Sequence, residues 1–125
     1  MLIDTDVLIW YLRGNERAKN SITNNIPFKI SVVNYFELVQ GMKSKNELKL
    51  LQKYLKIWSV EIIQINETIS TRAMFLVEDY FLSHSLELPD AIIAATILER
   101  KETLLTANDK HYKYIPNMQM EKFRP

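Results

Sequence analysis

Residues 1–12 read MLIDTDVLIWYL, and this stretch decides the architecture. Met1 to Ile3 is a short apolar run stopped by Asp4, the pattern of a buried strand whose carboxyl end carries an acid. Thr5 to Leu12 follows as a helix, closed by Gly14 after Arg13. A strand that hands an acid straight to a helix is the opening unit of an α/β domain.

The same alternation continues along the chain. Residues Arg17 to Asn24 read as a second helical segment that Pro27 forbids from continuing, and a strand fits near Phe28 to Ile30. Ser31 is a good N-cap for a helix through Phe36, Leu38 and Val39 to Gly41, which carries Glu37 about two turns in. Ser44 caps the next helix, where Leu48, Leu51, Leu55 and Trp58 recur at spacings of three and four. Val60 to Ile65 reads as a strand, and Asn66 caps a long helix with Ile69, Ala73, Leu76 and Tyr80 on one face. Pro89 opens another helix with Asp90 in its first turn, and the alanines at 91, 94 and 95 imply close approach to a sheet. Thr103 to Thr106 is the next strand, Asn108 and Asp109 begin a loop or short helix, and a final strand fits around Met118 to Met120. The succession predicts a three-layer α/β sandwich, a central mainly parallel sheet flanked by helices.

Composition narrows the class. With 125 residues, 47% hydrophobic, 25% charged, two glycines and four prolines, the chain is expected to form one compact domain over residues 1–125 rather than a disordered segment. Sixteen Lys and Arg against fifteen Asp and Glu leave a net charge of +1, so any basic surface for nucleic acid must be local. The absence of cysteine excludes a disulfide framework, a thiolate zinc site and a cysteine nucleophile. No signal-peptide pattern and no membrane-spanning apolar run is present, which gives the expectation of a soluble cytoplasmic protein.

Ligands of parallel sheets gather beyond the carboxyl ends of the strands. Asp4, Glu37 and Asp109 each follow a proposed strand, and Asp90 opens a helix that can face the same edge. Carboxylates are hard oxygen donors suited to Mg²⁺ or Mn²⁺, and such an ion can activate water and stabilise the leaving oxygen in phosphodiester hydrolysis. Each acid also has a bland explanation: Asp4 and Asp6 as helix-capping acids, Asp90 as a dipole partner, Glu37 as a solvent-facing side chain. Among the cations, Arg13, Lys43, Lys45, Lys110 and His111 are candidate RNA contacts, and the KHYKY segment interleaves cations with rings, although surface charge alone explains each of them.

The ordered blocks MLIDTDVLIWYL, ISVVNYFELVQG, LELPDAIIAATILE and LLTANDKHY resemble the four acidic blocks of the PIN-domain family, specifically its VapC-type toxin branch. The resemblance covers nearly the whole chain. It implies a PIN-like fold and a Mg²⁺- or Mn²⁺-dependent endoribonuclease that hydrolyses RNA by metal-activated water, leaving 5′-phosphate and 3′-hydroxyl ends. It also implies a homodimer and a small antitoxin protein as partner. Asp4, Glu37 and Asp90 match the family's metal-coordinating acids, and Asp109, with Asn108 as the alternative, completes the set. Asp6 and Thr106 match supporting positions. Trp10, Tyr11, Tyr35 and Trp58 are the candidate aromatics for burial against another chain.

Three rivals share parts of the pattern. Asp4-Thr5-Asp6 fits the acid pair of haloacid-dehalogenase-type phosphatases, but the chain is short for that fold and Leu8 replaces the expected Thr or Val. A receiver domain would need an aspartate where Gln64 and Ile65 end the middle strand. A catalytically silent binding module on the same fold is the third.

Overall fold

The structure, a computed structural model, describes residues 1–125. Five strands, β1 (Leu2–Ile3), β2 (Lys29–Ser31), β3 (Glu61–Ile63), β4 (Thr103–Thr106) and β5 (Gln119–Lys122), form one sheet in the order β3-β2-β1-β4-β5. Every pairing is parallel, with Leu2 opposite Lys29, Ile3 opposite Leu105, Ile30 opposite Ile62 and Leu104 opposite Met120. The sheet is thus wholly rather than mainly parallel.

Six helices connect the strands: α1 (Thr5–Leu12), α2 (Glu16–Asn24), α3 (Val32–Gln40), α4 (Lys45–Ile57), α5 (Glu67–His84) and α6 (Leu88–Arg100), with a 3₁₀ turn at Asp109–His111. Their starts are set by side chains that satisfy orphan backbone donors. Asn15 accepts from Ala18 N, Ser44 from Glu47 N and Asn66 from Ile69 N. Because Asn15 is the cap, α2 begins one residue ahead of the position its sequence pattern suggests. Strand β5 starts one residue and ends two residues later than the expected Met118 to Met120, because pairing runs through Lys122 opposite Thr106 and Phe123 N donates to Thr106 O at 2.8 Å.

Neighbouring strand residues point to opposite faces, so each strand feeds two cores. Leu2, Ile63 and Leu104 join Ile69, Ala73 and Leu76 of α5 and Ala91, Ala94 and Ala95 of α6. Ile3, Ile30 and Leu105 join Val7, Leu8, Ala18, Ile22, Leu51 and Leu55 on the other side. This second core also takes Trp58, which is only 5% exposed and packs against Tyr11 and Tyr54 at centroid distances of 4.9 and 5.2 Å. Trp10, Tyr11 and Tyr35 are half-buried against the same core, so each serves the fold of its own chain and leaves part of its surface exposed. The exposed apolar side chains lie elsewhere, chiefly Met74, Phe75, Phe81, Leu82 and Leu88. No helix is long and apolar enough to cross a membrane.

Candidate active site

From β1 the chain builds outward to β2 and β3, then returns to add β4 and β5 on the other side of β1. The order therefore reverses between β1 and β4, where a crevice opens beyond the carboxyl ends of the strands. Asp4 stands there, pinned by its backbone N–H donating to Leu105 O at 2.9 Å. Its Oδ1 accepts from Thr5 N at 2.9 Å and Asn34 Nδ2 at 3.1 Å, and its Oδ2 accepts from Thr106 Oγ1 at 2.8 Å. The helix-capping explanation is correct as far as it goes, yet a cap is normally solvated and Asp4 is only 7% exposed. Burial, then the charge of Asp6, with a smaller push from Asp90, raise its carboxyl from an ordinary 3.8 to about 7, although the hydrogen bonds from Thr106 and Thr5 pull the other way.

Glu37 reaches Asp4 through a relay. Thr5 Oγ1 donates to Glu37 Oε1 at 2.7 Å and accepts from Asn34 Nδ2 at 3.0 Å, the same amide that donates to Asp4. Asn34 is fully buried, and its Oδ1 accepts from Ser31 N at 2.8 Å, so its amide group closes the capping box of α3 on one side and the acidic site on the other. Asp6 sits across the crevice: its Oδ2 accepts from Ala107 N at 3.0 Å and Asn108 Nδ2 at 2.9 Å. Its Oδ1 is buried without a partner, and burial raises this carboxyl as well.

Asp90 enters from the first turn of α6. Its Oδ1 accepts from the Tyr112 hydroxyl at 3.1 Å and its Oδ2 lies 3.1 Å from His111 Nδ1. Tyr112 is 1% exposed, and burial followed by the charges of Asp4, Asp90 and Glu37 raises its phenol far above the usual range. It therefore stays neutral and donating, under the combined charge of Asp4 just after β1, Glu37 of α3 and Asp90 of α6.

Asp109 does not join this group; its Oδ1 lies 3.5 Å from Lys122 Nζ on β5. Of the two alternatives in TANDKHY, it is Asn108 that touches an acid of the crevice. Among the candidate RNA contacts, His111 lies exposed on the 3₁₀ turn with its Nδ1 3.1 Å from Asp90 Oδ2, and Lys110 is exposed beside it. Arg13 lies over the Trp10 ring at 5.7 Å and lines, with Lys43, a groove between α1, α3 and α4; Lys45 is exposed at the start of α4. The residues that sequence reasoning did not single out are Thr5, Asn34 and Tyr112. Only Asn34 carried a local signal, at the fourth position of a Ser31-led capping box.

The donor set suits a hard cation in a particular way. No three acidic, histidine or cysteine side chains are close enough to enclose one ion. Mg²⁺ dehydrates reluctantly and is commonly held by one or two carboxylates plus water and phosphate oxygens, which needs no such cage. Asp4 Oδ1 is saturated by two donors, whereas Asp4 Oδ2 and Glu37 Oε2 retain lone pairs, and Asp6 Oδ1 is an unpartnered acceptor in the same crevice. Hydroxyl, amide and carboxylate oxygens with no soft ligand fit Mg²⁺ or Mn²⁺.

Comparison with known proteins gives a consistent family signal. A family model described as PIN domain matches residues 1–117. Ribonuclease VapC10 of Mycobacterium tuberculosis is 33% identical over 116 residues, covering 90% of this chain and 85% of its own length. Ribonuclease VapC19 of the same organism is 30% identical over 125 residues, covering 94% and 96%. Among solved structures, a toxin–antitoxin complex from Klebsiella pneumoniae aligns with a TM-score of 0.80 and 29% identity over 98% of both chains. DNA-bound VapBC from Salmonella typhimurium shares the fold with a TM-score of 0.83 at 18% identity, covering 97% of this chain and 96% of that one.

Proposed function

The chain belongs to the PIN domain family, and on that premise we propose that it is a metal-dependent endoribonuclease, the toxin of a toxin–antitoxin pair. The observation that carries this reading is the grouping of Asp4, Asp6 and Glu37 through the shared donors Thr106, Thr5 and Asn34, with Asp90 near enough for its charge to help raise Asp4. Such an arrangement repels itself and repels a phosphate unless a cation is present.

Asp4, Glu37 and Asp90 would hold the ion, Mg²⁺ or Mn²⁺, with water and phosphate oxygens completing its shell. When bound, it offsets the carboxylate charge, draws in the RNA phosphate and makes a water a stronger nucleophile. The chain's own groups do the positioning. Thr106 and Thr5 fix the two Asp4 oxygens, Asn34 ties Asp4 to Glu37 through Thr5, and Tyr112 orients Asp90. Glu37, half-buried and with one carboxylate oxygen free of protein donors, would accept a proton from an attacking water. Asp109, paired with Lys122, stands outside this set, and Asn108 holds Asp6 in its place.

The partners follow from the same reading: RNA as substrate, a small antitoxin protein as inhibitor, and a second copy of the chain in a homodimer, working as a single-domain enzyme in the cytoplasm. Purified protein is expected to cut RNA with Mn²⁺ or Mg²⁺ and to stop when EDTA is added. Release of phosphate from small esters without RNA cleavage would overturn the assignment in favour of a phosphatase, and metal binding without either activity would favour a silent module.

A further inference from the structure

A cavity of about 340 Å³ adjoins the acidic crevice, with Asp90 and His111 as the shared wall. It lies between the loop joining α5 to α6 and the 3₁₀ turn with the segment after it, and His84, Glu87, Lys110 and Tyr114 are among its other lining residues. The volume is at the small end of the roughly 300–1,000 Å³ that small-ligand sites occupy, a fit for one nucleotide and not for a duplex.

Its chemistry is divided in space. The His84 and Tyr114 rings stack with centroids 4.0 Å apart and planes 12° apart, Tyr80 supports both, and Ser83 Oγ lies 2.7 Å from His84 Nδ1. His84 is exposed and lines the cavity together with Tyr114, so the ring pair presents surface there. Lys110 is exposed and has no carboxylate partner. Glu87 occupies the N-cap position of α6 yet makes no capping hydrogen bond and no ion pair. Serine, threonine, asparagine or aspartate would cap there, so the carboxylate is uncommitted.

We propose that this cavity receives the base of one unpaired nucleotide adjoining the scissile phosphate, stacked on His84 and Tyr114, and that Glu87 selects guanine. The proposal deepens the nuclease reading and rests on it. Stacking tolerates any base, so it supplies binding without sequence. Selection comes from the edge: guanine alone presents two adjacent donors, N1–H and the N2 amino group, to the two oxygens of a carboxylate. Adenine and cytosine set an acceptor beside their amino group, and uracil flanks its one N–H with two carbonyls. A paired guanine has that edge occupied, so the site takes loops and single strands. Lys110, which also lines the cavity, supplies a positive charge for the nucleotide's phosphate.

The test compares wild type, His84→Ala and Glu87→Gln on short unstructured RNAs that differ at one nucleotide, with Mn²⁺. Guanosine and uridine 5′-monophosphates are titrated in EDTA while the ring protons of His84 and Tyr114 are followed by NMR. Wild type is expected to favour the guanine RNA. His84→Ala should raise KM about tenfold on every RNA with kcat nearly unchanged. Glu87→Gln should bring the guanine preference towards parity while leaving the uridine RNA as it was, and guanosine monophosphate should move the ring signals more than uridine monophosphate does. RNA cleavage with metal, but with KM and base preference untouched by either variant or with ring signals that ignore guanosine monophosphate, overturns the subsite and leaves the nuclease reading standing. A wild type that cuts no RNA overturns the nuclease reading itself, and the subsite's place beside a scissile phosphate with it.

Discussion

Replacing Asp4 with asparagine separates stored charge repulsion from ordinary hydrogen bonding. The introduced amide fits the existing partners: its oxygen keeps Thr5 N and Asn34 Nδ2, and its NH₂ faces Thr106 Oγ1, whose proton can turn to Asp6 Oδ2 at 3.4 Å. What disappears is an acid raised in the fold from 3.8 to about 7. A raised carboxyl stabilises the fold fully below its unfolded value, and that contribution is lost as pH rises through the folded value. At ~1.36 kcal/mol per pH unit, the wild type forfeits on the order of 4 kcal/mol relative to Asp4→Asn at pH 8, about 2 at pH 5 and less than 1 at pH 4. With an unfolding entropy of ~2.1 cal/mol/K per residue, the gap at pH 8 corresponds to roughly 15 °C for a chain of this length. Thermal melts in EDTA across this pH range measure it. Asp4→Asn is expected to melt higher than wild type at pH 8, to converge with it towards pH 4, and to lose both the stabilisation by Mn²⁺ and RNA cleavage. A variant that melts lower at pH 8, or by a margin that does not change with pH, refutes the argument.

Three further outcomes bear on the site. Asp109→Asn should leave RNA cleavage within about twofold of wild type, because an ion pair as exposed as that with Lys122 is worth ~0–1 kcal/mol; a loss as deep as that of Asp4→Asn in the same assay would return Asp109 to the metal-holding set. Tyr112→Phe removes the hydroxyl that orients Asp90 and should weaken Mn²⁺ binding about 10–100-fold by calorimetry, with the fold retained; unchanged affinity would make Tyr112 a core residue only. Asn34→Ala leaves Asp4, Thr5 and Ser31 N short of partners and should cost ~2–4 kcal/mol in denaturant unfolding, whereas a loss under 1 kcal/mol would show that water replaces the relay.

The elements were legible where the signal is local. Ser31, Ser44 and Asn66 each cap the helix that their sequence context announces, and Pro89 lies in the first turn of α6. The placement of Asp4 directly after β1 and of Asp90 in the first turn of α6 was legible because these are local patterns too. Asp109 was not, since TANDKHY offers an amide and an acid side by side, and the choice is made by Lys122 on a strand that pairs from outside the window. Thr5 and Asn34 lie 29 residues apart, and only the pairing of β1 with β2 brings them within a hydrogen bond. Trp58 likewise looked available to a partner because its helix is amphipathic, and nothing in the helix alone shows that Tyr11 and Tyr54 already enclose it.

The central position of β1 bears on when the protein becomes active. Asp4 leaves the ribosome 102 residues ahead of Thr106, which holds its Oδ2, and Tyr112, which holds Asp90, comes later still. The slot beside β1 that β4 fills stays open until most of the chain has been made. A nascent chain therefore carries Asp4, Glu37 and Asp90 past the translation machinery without the residues that fix their geometry. An enzyme that cuts RNA is in this way disarmed by topology while it is still attached to the RNA that encodes it.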